Sequence, residues 1–191
     1  MLNYPLNLQF KLLALNPQVK ISDAAGATVM YVKEKAFSLK IDIKVFADEA
    51  QQQQLYQIKA DKVIGMNIPF SITTPQGALV GKVLRPSMAS LWKATYQISD
   101  ASGKEVAVLH EENPWLKVLD SVLSDVPFIH MLINPGYLVD QAGQTVLYLK
   151  KKPSLVDRQF VLEKRGNLSE ADERLLVSGT LLAMMMERMR R

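Results

Sequence analysis

Cysteine is absent from the 191 residues, which excludes disulfides, thiolate metal sites and cysteine nucleophiles together and suits a reducing compartment. Histidine is nearly absent too: His110 and His130 are the two, with no H-E-x-x-H and no second pair. Zinc chemistry and Ser-His-Asp catalysis therefore lack their usual material. There is no G-x-S-x-G elbow and no glycine-rich phosphate loop. Gly77-Ala-Leu-Val-Gly81 fits G-x-x-x-G only on paper, because it lies across a hairpin and not in a membrane helix. No basic stripe interleaved with aromatics is present, so nucleic acid is not an expected partner. At the N-terminus the first positive charge is Lys11, and Pro17 ends the apolar run before an h-region forms. No signal peptide is expected.

What is present is a globular composition, 48% hydrophobic and 22% charged, with a net charge of +4. The length favours one domain over 1–191. Alternation with period two dominates. Phe37, Leu39, Ile41, Ile43 and Val45 alternate with Ser38, Lys40, Asp42 and Lys44. Leu6, Leu8, Phe10 and Leu12 repeat the pattern, as do Trp92, Ala94, Tyr96 and Ile98. Such stretches are strands with one apolar face and one polar face. Ile64, Met66, Ile68, Phe70 and Ile72 alternate as well, but Pro69 demands an edge, bulge or break.

Turns of one chemistry separate these stretches: Asp23-Ala-Ala-Gly26, Thr74-Pro-Gln-Gly77, Asp100-Ala-Ser-Gly103 and Asp140-Gln-Ala-Gly143. Asp or Thr bonds the turn backbone and glycine supplies positive φ. Asp48-Glu-Ala-Gln predicts a longer fifth turn. The resulting strands are 6–13, 18–22, 27–34, 36–46, 54–60, 62–73, 78–85, 91–99, 104–111, 136–141, 144–151 and 157–164. Asn113 and Pro114 open a short amphipathic helix over 114–125, followed by an apolar irregular stretch from Pro127 to Pro135.

A second helix is predicted over 169–190. Ser169 with Asp172 starts it as a capping box, and Glu170 and Glu173 suit its positive end. From Leu175 to Met186 there is no charge, and Leu175, Leu176, Val177, Leu181, Leu182, Met184, Met185 and Met186 cover the whole circumference. A helix apolar all round is buried all round or spans a membrane. Twelve residues at about 1.5 Å each reach roughly 18 Å, well short of a hydrocarbon core of about 30 Å. Burial is therefore expected, with Leu175, Leu176, Leu181, Leu182 and Met185 as its core and the methionines as adaptable filling. Gly179, Thr180 and Ala183 leave one thin face for a close wall. The residues thus predict one mainly antiparallel β-domain around its own C-terminal helix.

Several segments resemble the tubby C-terminal-like superfamily, which includes phospholipid scramblases and LURP-one-related proteins. They are AFSLKIDIKVFADEAQQQQLYQIKADKV, FSITTPQGALVGKVLRPSMASLWKATYQISDASGKEVAVL, NPWLKVLDSVL and the closing LSEADERLLVSGTLLAMMMERMRR. The last two are similar to an uncharacterised bacterial branch. The resemblance covers nearly the whole chain and rests on structural motifs. It implies a closed twelve-stranded antiparallel β-barrel threaded by an apolar C-terminal helix, plus one short surface helix. It also implies membrane surfaces as partners, since tubby-type relatives bind phosphoinositide head groups through basic residues. No head-group lysine or arginine of those relatives aligns with a position here. The calcium-binding and membrane-anchoring features of scramblases have no counterpart either, which argues against scrambling.

Candidate chemistry is sparse. His110 reads as a solvated strand end beside Glu111 and Glu112, and His130 as a packed loop residue. The acidic pairs Asp48/Glu49 and Glu111/Glu112 sit at turns or strand ends, a poor setting for water-excluded acid–base work. No catalytic residue, metal ligand or cofactor is expected. Basic clusters occur at Lys150-Lys151-Lys152, next to Pro153, and at Arg188, Arg190 and Arg191. Their plain reading is solvated surface and a helix C-terminus. The lysine triplet is also the candidate contact with an anionic phospholipid surface. The functional expectation is a non-enzymatic, cytoplasmic binding protein, peripheral at a membrane. Its alternatives are a scaffolding module paired through Trp115 and Phe128, as monomer or homodimer, or a carrier or enzyme with a ligand in the barrel.

Overall fold

The computed structural model describes residues 1–11, 18–33, 42–62, 67–86, 94–113, 136–152 and 158–189. Twelve strands run in chain order: β1 Leu6–Lys11, β2 Gln18–Ser22, β3 Thr28–Lys33, β4 Asp42–Phe46, β5 Gln54–Ala60, β6 Pro69–Thr73, β7 Leu79–Leu84, β8 Thr95–Asp100, β9 Glu105–Glu111, β10 Tyr137–Gln141, β11 Gln144–Lys152 and β12 Arg158–Lys164. Each pairs antiparallel with its sequence neighbours, and β1 pairs with β12, so the sheet closes into a barrel. Closure removes the unpaired edges that an open sheet would expose. One helix among the described residues, α1 Glu170–Met189, runs through the barrel.

Every expected strand has a counterpart, with two ends corrected. The strand expected over 62–73 begins only at Pro69. Asn67 has φ 57°, which breaks extended backbone, and a proline without an N–H is tolerated at a strand's first position. The strand expected from 91 starts at Thr95, with Ala94 outside it. The helix expected over 114–125, the patch at Trp115 and Phe128, His130 and Pro153 lie outside the described residues, as do the side chains of Arg188, Arg190 and Arg191.

The five tight turns share one end of the barrel. Gly26, Gly77 and Gly103 have φ of 85°, 86° and 88°. Asp23 Oδ1 accepts from the N–H groups of Ala25 and Ala27, and Asp100 Oδ1 from those of Ser102 and Lys104. Thr74 Oγ1 accepts from Ala78. The turn at Asp48 has the same shape, with Gln51 at φ 59° where the others have glycine. It is not longer. The fourth glycine turn departs from the shared chemistry: Ala142 and Gly143, at φ 50° and 79°, make a two-residue hairpin. Asp140 therefore belongs to β10, and its carboxylate accepts from Thr145 Oγ1 and lies against His110 Nε2.

Each of these hairpins also carries a register shift just beyond its turn, leaving Val29, Leu55, Val80, Val106 or Val146 unopposed. All five are apolar and pack against the core. A bulge strengthens the local twist and bends its strand, and all five lie at the end of the barrel where α1 enters.

The interior is filled by α1. Leu175 through Met185 are all buried, including Leu181 and Leu182 at 0% exposure and Met185 at 1%. The thin face is used as expected. A Cβ on Gly179 would come within 2.9 Å of Ile98 Cδ1, and one on Gly81 within 2.6 Å of Leu175 Cδ1. The helix therefore lies nearest β7 and β8. At its start Ser169 Oγ accepts from Asp172 N–H at 3.1 Å, completing half of the capping box.

Candidate functional site

Strand alternation divides the lysine triplet. Leu147 and Leu149 of β11 face inward and are buried, and Lys151 shares their parity, half-buried opposite Phe160. Lys150 and Lys152 point outward and are exposed. The three do not form one contact surface, because successive strand residues alternate faces.

Of the outward pair, Lys152 lines a groove that crosses β11, β12, β1 and β2. It measures about 320 Å³ and is lined by Asn7, Gln9, Lys20, Ser22, Lys152 and Gln159 together with Leu8, Gly26 and Phe160. The strand register brings these residues side by side: Lys152 opposes Gln159, Gln159 opposes Gln9, and Gln9 opposes Lys20. Lys152 Nζ donates to Asn7 Oδ1 at 3.1 Å, so its ammonium lies over β1. Lys20 approaches from the other side. Its Nζ is 2.6 Å from Glu49 Oε1, and Lys11 Nζ is 3.9 Å from Glu49 Oε2. The Lys20 hydrogen bond, helped by the charges of Lys20 and Lys11, holds the Glu49 carboxyl below the usual range. Two cations and several amide and hydroxyl groups can receive an oxyanion here by charge-assisted hydrogen bonds.

The other sequence candidates lie elsewhere. His110 is not a solvated strand end. It is paired through β9 with Thr95 and Leu138, its Nε2 lies 2.8 Å from Asp140 Oδ2, and its Nδ1 lies 3.1 Å from the Glu111 carbonyl. Glu111 and Glu112 point to opposite faces: Glu111 is fully buried, while Glu112 is exposed and accepts from Tyr148 OH. No group of three or more His, Cys, Asp and Glu side chains among the described residues is arranged to hold a metal.

No protein-family model and no curated protein matches the chain. The fold is similar to the X-ray structure of a protein from Arabidopsis thaliana, AT5G01750. The TM-score is 0.53 and the identity 14%, over 100% of this chain and 94% of that one. A likeness at that identity establishes the fold alone. No helix among the described residues is long and apolar enough to cross a membrane.

Asn7, Gln9, Lys20, Ser22 and Gln159 were not legible as site residues in the sequence. Each is an ordinary outward position of an alternating strand, and only barrel closure places β1 between β12 and β2.

Proposed function

We propose that this protein is a non-enzymatic barrel of the tubby-like type that attaches peripherally to anionic phospholipid surfaces. The contact is the outer wall formed by β11, β12, β1 and β2. The observation that carries this reading is the placement of Lys20 and Lys152 on two sides of one polar groove, with Lys150 exposed beside it. The sequence resemblance to the tubby C-terminal-like superfamily supports the same reading.

The magnitude suits reversible attachment. A lysine near an anionic surface contributes about 1 kcal/mol, so three give roughly a hundred-fold enrichment. Such binding weakens as salt screens the charges. The test is co-sedimentation with vesicles of phosphatidylserine and phosphatidylcholine, against phosphatidylcholine alone. We expect selective recovery with the anionic vesicles at low salt, reduced in a Lys150→Ala/Lys152→Ala variant. Equal recovery with both vesicles, or no reduction in that variant, would end the reading.

A further inference from the structure

The turn between β4 and β5 does not simply reverse the chain. Its Glu49 side chain crosses β3 to reach β2 and β1, where its two carboxylate oxygens address two different lysines. Tyr31, the β3 residue opposite Lys20 in the register, is buried although it stands on the outward parity. Its hydroxyl is held above the usual tyrosine range by burial and by the nearby Glu49 charge. These observations place the carboxylate over the outer wall, directly against a lysine that lines the groove.

We propose that Glu49 is an electrostatic gate on the groove: it occupies Lys20 when no ligand is bound and is displaced when an anionic headgroup arrives. This rests on the membrane-surface reading above and adds its regulation. The chemistry is a competition between two anions for one ammonium. In the free protein Glu49 satisfies Lys20 at close to hydrogen-bonding optimum. A headgroup phosphate entering beside Lys152 must take that ammonium from the carboxylate, and the like charges of phosphate and Glu49 oppose each other until the turn side chain swings out. The pair is exposed enough to open: the Lys20 and Glu49 side chains are 31% and 43% accessible. Exposed ion pairs are weak, so the gate tunes affinity and does not block it.

The test compares single-unit charge changes at two places. Glu49→Gln removes the competing anion and frees Lys20. Glu105→Gln makes the same change in net charge at an exposed position on β9, on another part of the wall. Binding to phosphatidylserine–phosphatidylcholine vesicles is measured at low and at high salt, with circular dichroism to verify folding. Glu49→Gln should bind about five-fold more tightly than the parent protein, the equivalent of ~1 kcal/mol for one basic side chain at an anionic surface. Glu105→Gln should bind more tightly by less than that. A Glu49→Gln/Lys20→Met double variant should lose the gain. The proposal is overturned if Glu49→Gln gains no more than Glu105→Gln, or if the double variant keeps the full gain. In either case, a persisting loss in Lys150→Ala/Lys152→Ala leaves the membrane-surface reading standing. Absence of anionic-vesicle selectivity in every variant overturns both.

Discussion

Where α1 enters the barrel, five short turns reverse the chain through a residue at positive φ, and an unopposed apolar residue follows each one. Where α1 leaves it, β1, β3, β5, β7, β9 and β11 finish. The helix is tied differently at these two ends. At entry Glu173 is 1% exposed and accepts from the Leu2 N–H at 2.8 Å and from Lys164 Nζ at 3.0 Å. The N-terminal residues are thereby fastened across the helix start. At exit Glu187 accepts from Tyr96 OH at 2.6 Å and pairs with Arg85 at 3.3 Å. The same residue type does both jobs, but the entry carboxylate is the more deeply buried. Removing Glu173 leaves a backbone N–H and an ammonium without their acceptor at a position with almost no exposure. The entry tie should therefore matter more to folding, and the exit tie less.

The largest expected effect removes what both ends hold. Deleting residues 168–191, or substituting Leu182→Asp, should abolish folding, because the barrel then lacks its filling or receives an unpaired charge. The large apolar side chains of α1, at about 1.5–3 kcal/mol each, together match or exceed the whole stability of a typical domain. Soluble protein with a native near-ultraviolet circular dichroism spectrum would contradict this.

The comparison itself is tested by Glu173→Ala against Glu187→Ala. Chemical denaturation should show a loss of about 3 kcal/mol or more for the first. The second, which removes a pair whose side chains are 13% and 12% exposed and one hydrogen bond, should lose about 1 to 2 kcal/mol. Equal losses would mean that the two ends hold the helix alike.

Alkali separates the ends by a different route. Burial and the nearby Glu173 raise the Tyr4 hydroxyl, and burial and the Glu187 hydrogen bond raise that of Tyr96. A tyrosine raised on folding contributes stability in full below its unfolded value of about 10. That contribution is lost as the pH rises beyond it, since the unfolded chain ionises first. The melting temperature should fall above about pH 10. Tyr4 OH has no hydrogen-bond partner among the described residues, so Tyr4→Phe should cost little at neutral pH and soften the alkaline decline. Tyr96→Phe should cost about 1 kcal/mol already at neutral pH, through its lost bond to Glu187.

The smallest effect concerns one turn. Gln51 holds φ 59° where three equivalent turns have glycine. Left-handed backbone costs an L-residue roughly 1 to 2 kcal/mol, so Gln51→Gly should raise stability by about 1 kcal/mol or less once glycine's greater unfolded entropy is included. A fall in the denaturation midpoint would show that the Gln51 side chain has a stabilising role of its own.

Much of the fold was legible because its signals are local. A period-two pattern marks a strand within six residues, and Asp or Thr three residues before glycine marks a reversal. An apolar run capped by Ser169 and bounded by charge marks a buried helix. The bulge residues follow a spacing in the sequence: an apolar residue stands six positions after Asp23, Thr74, Asp100 and Asp140, and seven after Asp48. The fourth turn is not distinguishable in the sequence, because Asp140 looks like its counterparts there and the contacts it makes with His110 and Thr145 depend on strand pairing.

By itself, then, the sequence determined twelve strands, the polarity of their faces and the burial of Leu175 to Met185. Tertiary structure decided which strands meet, and with them the groove. Asn7 and Lys152 are 145 residues apart and touch only because β1 closes on β12. Lys20 acquires Glu49 because a turn folds across an intervening strand. Lys151 parts from Lys150 and Lys152 because a pleated strand alternates its faces, while charge alone would group all three. Local pattern specifies what each residue prefers; partners brought from distant segments are set by how the sheet closes, and no short stretch of chain encodes that.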